Sequence, residues 1–109
     1  MNNRKIQKAW AVYTGGNIWL FYGKLQDGTY FLTDDYGSTQ ILDSDPSDFD
    51  VTLYQEWQDE HRLELLESEK RLSFCDSLCD YLQTASKEER GGISSEELDG
   101  YREYFKELW

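Results

Sequence analysis

The sequence predicts an α+β domain: an antiparallel β-meander of about four strands, then about three helices packed on one face of it. Three observations carry that expectation. Up to residue 42, short runs of aromatic and β-branched residues alternate with Gly and Asp turn signals. After Pro46 the apolar residues adopt helical i, i+4 spacing. Strands followed by helices, rather than interleaved with them, favour one sheet layer and one helix layer.

The meander covers residues 8–42. AWAVYT (9–14) reads as a strand, Gly15-Gly16-Asn17 as a turn and IWLFYGKL (18–25) as the second strand. Asp27-Gly28 favours a tight hairpin, whose central residues need positive φ. TYFLT (29–33), a turn at Asp34-Asp35-Tyr36-Gly37, and TQIL (39–42) complete it. The second strand is apolar on both sides, with Ile18, Leu20 and Tyr22 against Trp19 and Phe21. That pattern suits a central strand, or a sheet with an aromatic face left for a partner.

The helical part covers residues 47–85. Phe49, Leu53 and Trp57 fall on one helix side, Ser47 suits the N-cap, and Asp48 and Asp50 suit the first turn. HRLELL (61–66) either continues a helix or makes a short fifth strand with Leu63 and Leu65 alternating. Phe74, Cys75, Leu78, Cys79 and Leu82 form the stripe of the next helix. A polar connector (86–94) leads to a last helix (95–108). Ser94 and Glu97 open it as an S-x-x-E capping box, and Leu98, Tyr101, Phe105 and Leu108 are its stripe. The whole of 1–109 reads as one domain.

Composition narrows the function. With 39% hydrophobic and 16% aromatic residues, the chain is too apolar for a disordered acidic tail. A net charge of −11 disfavours nucleic acid and anionic membrane as direct ligands and favours basic partners. Two cysteines give no disulfide framework, so a reducing cytoplasm is expected. Arg4, Lys5 and Lys8 precede only a short apolar run, Ala9–Tyr13, so no signal peptide or spanning helix is expected.

Metal and catalytic motifs fail on inspection. An EF-hand loop starting at Asp43 would need glycine where Asp48 stands and glutamate where Tyr54 stands. Zinc sites take four thiolate or imidazole ligands, and this chain has two cysteines and His61. Cys75 and Cys79 match a helix stripe and are expected in the core. No nucleophile motif or phosphate-cradling loop is present. The expectation is a non-enzyme with no metal or cofactor.

Charge distribution says more. Residues 26–60 hold ten acids (Asp27, Asp34, Asp35, Asp43, Asp45, Asp48, Asp50, Glu56, Asp59 and Glu60) and no lysine or arginine. Like charges on neighbouring turns cost a few tenths of a kcal/mol per close pair, roughly. A chain needing only solubility would intersperse signs. Asp34, Asp35, Asp43, Asp45, Asp48, Asp50, Glu56, Asp59 and Glu60 are therefore expected to form a partner-binding face, with Tyr36 and Tyr54 as aromatic anchors. Asp43 and Asp45 are the two with no local structural reason.

The segments GGNIWLFYGKLQDGTYFLTDD and LDSDPSDFDVTLYQEWQDEH resemble small acidic proteins carried on mobile elements and prophages of gut Firmicutes, among them anti-CRISPR and anti-restriction factors. The resemblance implies an inhibitor that mimics nucleic acid, occupies the basic groove of a nuclease such as Cas9, and works in the bacterial host cytoplasm. Two other readings compete. One is an immunity protein or antitoxin capping a basic toxin nuclease. The other is a structural or adaptor module that self-associates through Trp10, Trp19, Phe21 and Tyr22. Oligomeric state is open in all three.

Overall fold

The computed structural model describes residues 5–13, 19–46 and 59–108. Among them is a five-stranded antiparallel sheet in strict chain order, β1 (Ile6–Tyr13), β2 (Trp19–Leu25), β3 (Tyr30–Thr33), β4 (Thr39–Leu42) and β5 (Arg62–Leu65). Three helices follow: α1 (Ser68–Gln83), α2 (Lys87–Arg90) and α3 (Ser95–Leu108). The α+β class holds, with a fifth strand beyond the expected four. Strand β5 lies inside the span expected to be helical (47–85), and α2 lies inside the expected connector (86–94). The Gly15–Asn17 turn and the helix expected after Pro46 fall outside the described residues.

Strand period explains the core. On one face Ala9, Ala11, Trp19, Phe21, Phe31 and Ile41 are buried beneath Phe74, Leu78, Leu82, Ile93 and Leu98. Each buried Phe, Leu or Ile among them contributes about 1.5–3 kcal/mol on burial. Cys75 and Cys79 are buried as expected, and desolvation pushes their thiols up to about 12 and about 11. They sit in the helix stripe as small apolar groups, remote from thiolate chemistry.

On the opposite face Trp10 stacks on Tyr22 with ring centroids 5.5 Å apart, and Leu32 and Leu42 are also buried. The four aromatics of the self-association reading are thus divided. Trp19 and Phe21 face the helices, and Trp10 and Tyr22 face away. The reason is the two-residue strand repeat, which sends neighbouring side chains to opposite faces. They form no common aromatic surface.

Strand β5 forms without much burial. Leu63 and Leu65 are 58% and 50% exposed, so the backbone ladder to β4 holds the strand rather than its leucines. Glu64 instead meets Lys70 on α1, 3.6 Å away.

A capping box starts α3, and a serine N-cap with the same S-x-x-E spacing starts α2. In the expected one, Glu97 N–H donates to Ser94 Oγ (3.1 Å) and Ser94 N–H to Glu97 Oε1 (3.3 Å). In the other, Glu89 N–H donates to Ser86 Oγ at 3.3 Å. The S-x-x-E signal at 86–89 was equally readable in the sequence.

Candidate functional site

Strand direction places the expected binding residues at two ends of the sheet. The β3–β4 hairpin carries Asp34, Asp35 and Tyr36. The opposite end, where β4 leads towards β5, carries Asp43, Asp45, Asp59 and Glu60. Four residues of strand separate them, roughly 13 Å. The single continuous acidic face expected from the base-free run is not formed by these residues, because an antiparallel hairpin sends successive turns to opposite ends. Asp48, Asp50, Tyr54 and Glu56 lie outside the described residues.

At the β3–β4 end, Asp34 organises its own turn. Its Oδ1 accepts from the N–H groups of Tyr36 and Ser38, each at 2.9 Å. Partial burial raises the Asp34 carboxyl above its ordinary value. The two N–H groups and the nearby Arg71 pull the other way, and Asp35 adds to the rise. Gly37 closes the loop at φ +83, and a Cβ there would lie 3.0 Å from the Phe105 ring. Its carbonyl accepts from Thr39 Oγ1 at 3.1 Å and Cys75 Sγ at 3.5 Å. This leaves Tyr36 55% exposed, with its ring 6.5 Å from Tyr104.

At the other end the acids meet bases from elsewhere in the chain. Asp43 accepts from His61 Nδ1–H at 2.8 Å and from Ser44 Oγ–H at 3.0 Å. Those bonds lower its carboxyl below the ordinary value, the His61 bond most. Asp59 pairs with Arg62 at 3.2 Å. Lys8 lies over Trp10 and Lys24 over Tyr30, at 5.2 and 5.8 Å from the ring centroids. In the sheet register Lys8 pairs with Lys24, and Lys24 with Tyr30. A run without bases in sequence therefore becomes a surface of mixed sign in space. Asp43 has a structural reason after all, a cross-connection to His61. Asp45 is exposed, and its charge helps raise the Tyr22 phenol, after desolvation.

A feature missed in the sequence lies near the β3–β4 end. Tyr13, Trp19, Gly91, Gly92, Glu97 and Tyr101 line a cleft of about 440 Å³. Tyr13 and Trp19 are cross-strand partners whose rings tilt 53° to each other, 5.1 Å apart. Trp19 Nε1–H donates to Glu97 Oε2 at 3.2 Å. Tyr101 packs edge-on to Phe21 and borders a second hollow with Glu97, Gly100 and Tyr104. Glu97, Tyr101 and Tyr104 stand at i, i+4 and i+7, so one helix face carries an acid and two phenols. That spacing was the available signal.

Among the described residues, no three His, Cys, Asp or Glu side chains converge to hold a metal ion. No described helix is long and apolar enough to cross a membrane. No protein-family model matches the chain, and no curated protein or solved structure matches it either.

Proposed function

We propose that this protein is a non-catalytic inhibitor that occupies the basic nucleic-acid groove of a nuclease in the bacterial cytoplasm, with a CRISPR effector of the Cas9 type as the target class. The observation that supports it most is an acid–aromatic tip, half-buried Asp35 and exposed Tyr36 beside Tyr104, on a chain of net charge −11. Carboxylates on a rigid hairpin can answer lysines and arginines arrayed for phosphates. An exposed tyrosine beside them supplies contact area at low conformational cost. The mixed-sign surface around Asp43 and Asp59 is a weaker candidate, because its acids already have partners. The binding tip therefore narrows to Asp35, Tyr36 and the neighbouring Tyr104.

The test is retention on a panel of immobilised defence and toxin nucleases at about 100 and about 500 mM salt, where screening shortens the Debye length severalfold. The expected result is a partner held at low salt and released at high salt. Asp35→Lys combined with Tyr36→Ala should weaken it at least ~10-fold, and Glu88→Lys on α2 should leave it nearly unchanged. Equal losses from the two changes would remove the tip from the proposal. Retention by a toxin nuclease alone would replace the CRISPR target with the immunity-protein reading.

A further inference from the structure

We propose that the cleft between Tyr13, Trp19, Glu97 and Tyr101 is a binding site for one methylated ammonium group. Its construction is independent of the inhibitor reading and is carried by geometry. Trp19 is a buried wall, Tyr13 is a half-exposed wall tilted against it, and Tyr101 faces in from α3. Ring faces carry negative potential and attract cations that shed water readily.

Among the described residues, the remaining wall is Gly91 and Gly92. Both have positive φ (+59 and +98), and a Cβ at Gly91 would approach the carbonyl oxygen of Ala11 to 2.2 Å and the Trp19 ring to 3.7 Å. Glycine is required at 91, and it leaves that side of the cleft without a side chain. Glu97 supplies the charge. Its carboxylate is fixed by Trp19 Nε1–H and Ser94 N–H. Among the described residues, no lysine or arginine lies within ion-pair distance of it.

The chemistry discriminates among cations. A divalent metal ion needs several oxygen ligands, and among the described residues the cleft is lined by one carboxylate. A bare ammonium is strongly hydrated and would lose water without enough acceptors in return. A guanidinium seeks both carboxylate oxygens side by side, and both already accept a bond. A methylated ammonium needs only ring faces and a nearby negative charge. It can arrive as a free small cation or as a methylated lysine side chain on a protein, and the chemistry is the same.

The experiment follows the Trp19 indole N–H resonance of the full chain during titration. Choline is compared with 3,3-dimethylbutan-1-ol, its neutral carbon isostere. A peptide carrying trimethyllysine is compared with the same peptide carrying lysine. The expected result is a saturable shift with choline that is about tenfold tighter than with the neutral isostere. Glu97→Gln keeps one acceptor oxygen, enough for Ser94 N–H in the capping box but not also for Trp19 Nε1–H; it should weaken choline about tenfold and leave the weak affinity for the neutral isostere unchanged while the chain stays folded. Tyr13→Leu should do likewise. Tighter binding of the methylated peptide than of choline assigns the cation to a protein side chain; the reverse assigns it to a free molecule. No saturable shift with either cation, or equal affinity for the neutral isostere, overturns the site. A salt-dependent nuclease partner that survives Glu97→Gln and Tyr13→Leu would uphold the inhibitor reading without bearing on the cleft.

Discussion

At the β3–β4 end of the sheet, an aspartate serves the backbone; at the β4–β5 end, aspartates serve other side chains. Asp34 holds two amide N–H groups of its own turn, while Asp43 and Asp59 hold His61 and Arg62. The first arrangement is local, and beside it Tyr36 stands exposed. The second is assembled across a strand connection and gives each of its two acids a side-chain donor. Counting acids along the chain treats the two ends alike. Their partners separate them.

The largest contrast between the ends should come from their glycines. Gly37 and Gly28 both sit at positive φ, +83 and +93, in otherwise similar hairpin loops. A Cβ at Gly37 meets the Phe105 ring, whereas one at Gly28 meets nothing within 4 Å. Gly28→Ala should cost about 1–2 kcal/mol for the backbone conformation alone. Gly37→Ala should cost about 2–4 kcal/mol, because ring displacement adds to it. Urea unfolding of both variants checks this, and equal costs would mean the hairpin does not lean on α3.

Next in size, Asp34→Ala should cost about 1–2 kcal/mol, because two turn N–H groups lose their acceptor. Asp34→Asn keeps an acceptor oxygen and should leave the turn intact.

A sharper comparison uses pH. The Asp34 carboxyl is raised by burial, so its ionisation opposes folding. The stability it adds is fully present below the ordinary carboxylate value, about 3.9, and is lost as pH rises through the folded value. Asp34→Asn should therefore gain on the parent protein between pH 3 and pH 7. The Asp43 carboxyl is lowered by His61, so its contribution is present above about 3.9 and lost as pH falls through the folded value. Asp43→Asn should be less stable than the parent at pH 7 and converge with it in acid. Thermal unfolding of both variants across that range tests the opposed signs, and slopes of the same sign would break the comparison. The smallest effect is expected from Arg62→Ala, under about 1 kcal/mol, because its pair with Asp59 is exposed.

Much of the fold was legible because its signals are local. The last helix begins and ends where Ser94, Glu97 and the Leu98–Leu108 stripe place it. The stripe of Phe74, Cys75, Leu78, Cys79 and Leu82 is buried throughout. Strand β5 was ambiguous because RLEL fits either period and its leucines remain exposed; the deciding force is the open edge of β4, which no sequence window contains. The binding face was the least legible part. His61 and Arg62 stand just beyond the base-free run, and Lys8 and Lys24 lie before it, yet strand pairing folds all four back onto the same end. The cleft was hidden because Trp19 and Glu97 belong to different halves of the chain.

That separation also bears on the order of assembly. Strands β1 to β4 follow one another closely in the chain and pair in order, so their pairings are local, whereas β5 joins β4 only after residues 43–61. The Trp19–Glu97 bond spans 78 residues and exists only once α3 has docked on β2. Until α3 docks, the cleft lacks a wall and the Glu97 carboxylate. The indole of Trp19 is thus a timer. Its hydrogen bond to Glu97 reports the docking of α3 and, with it, the closing of the cleft.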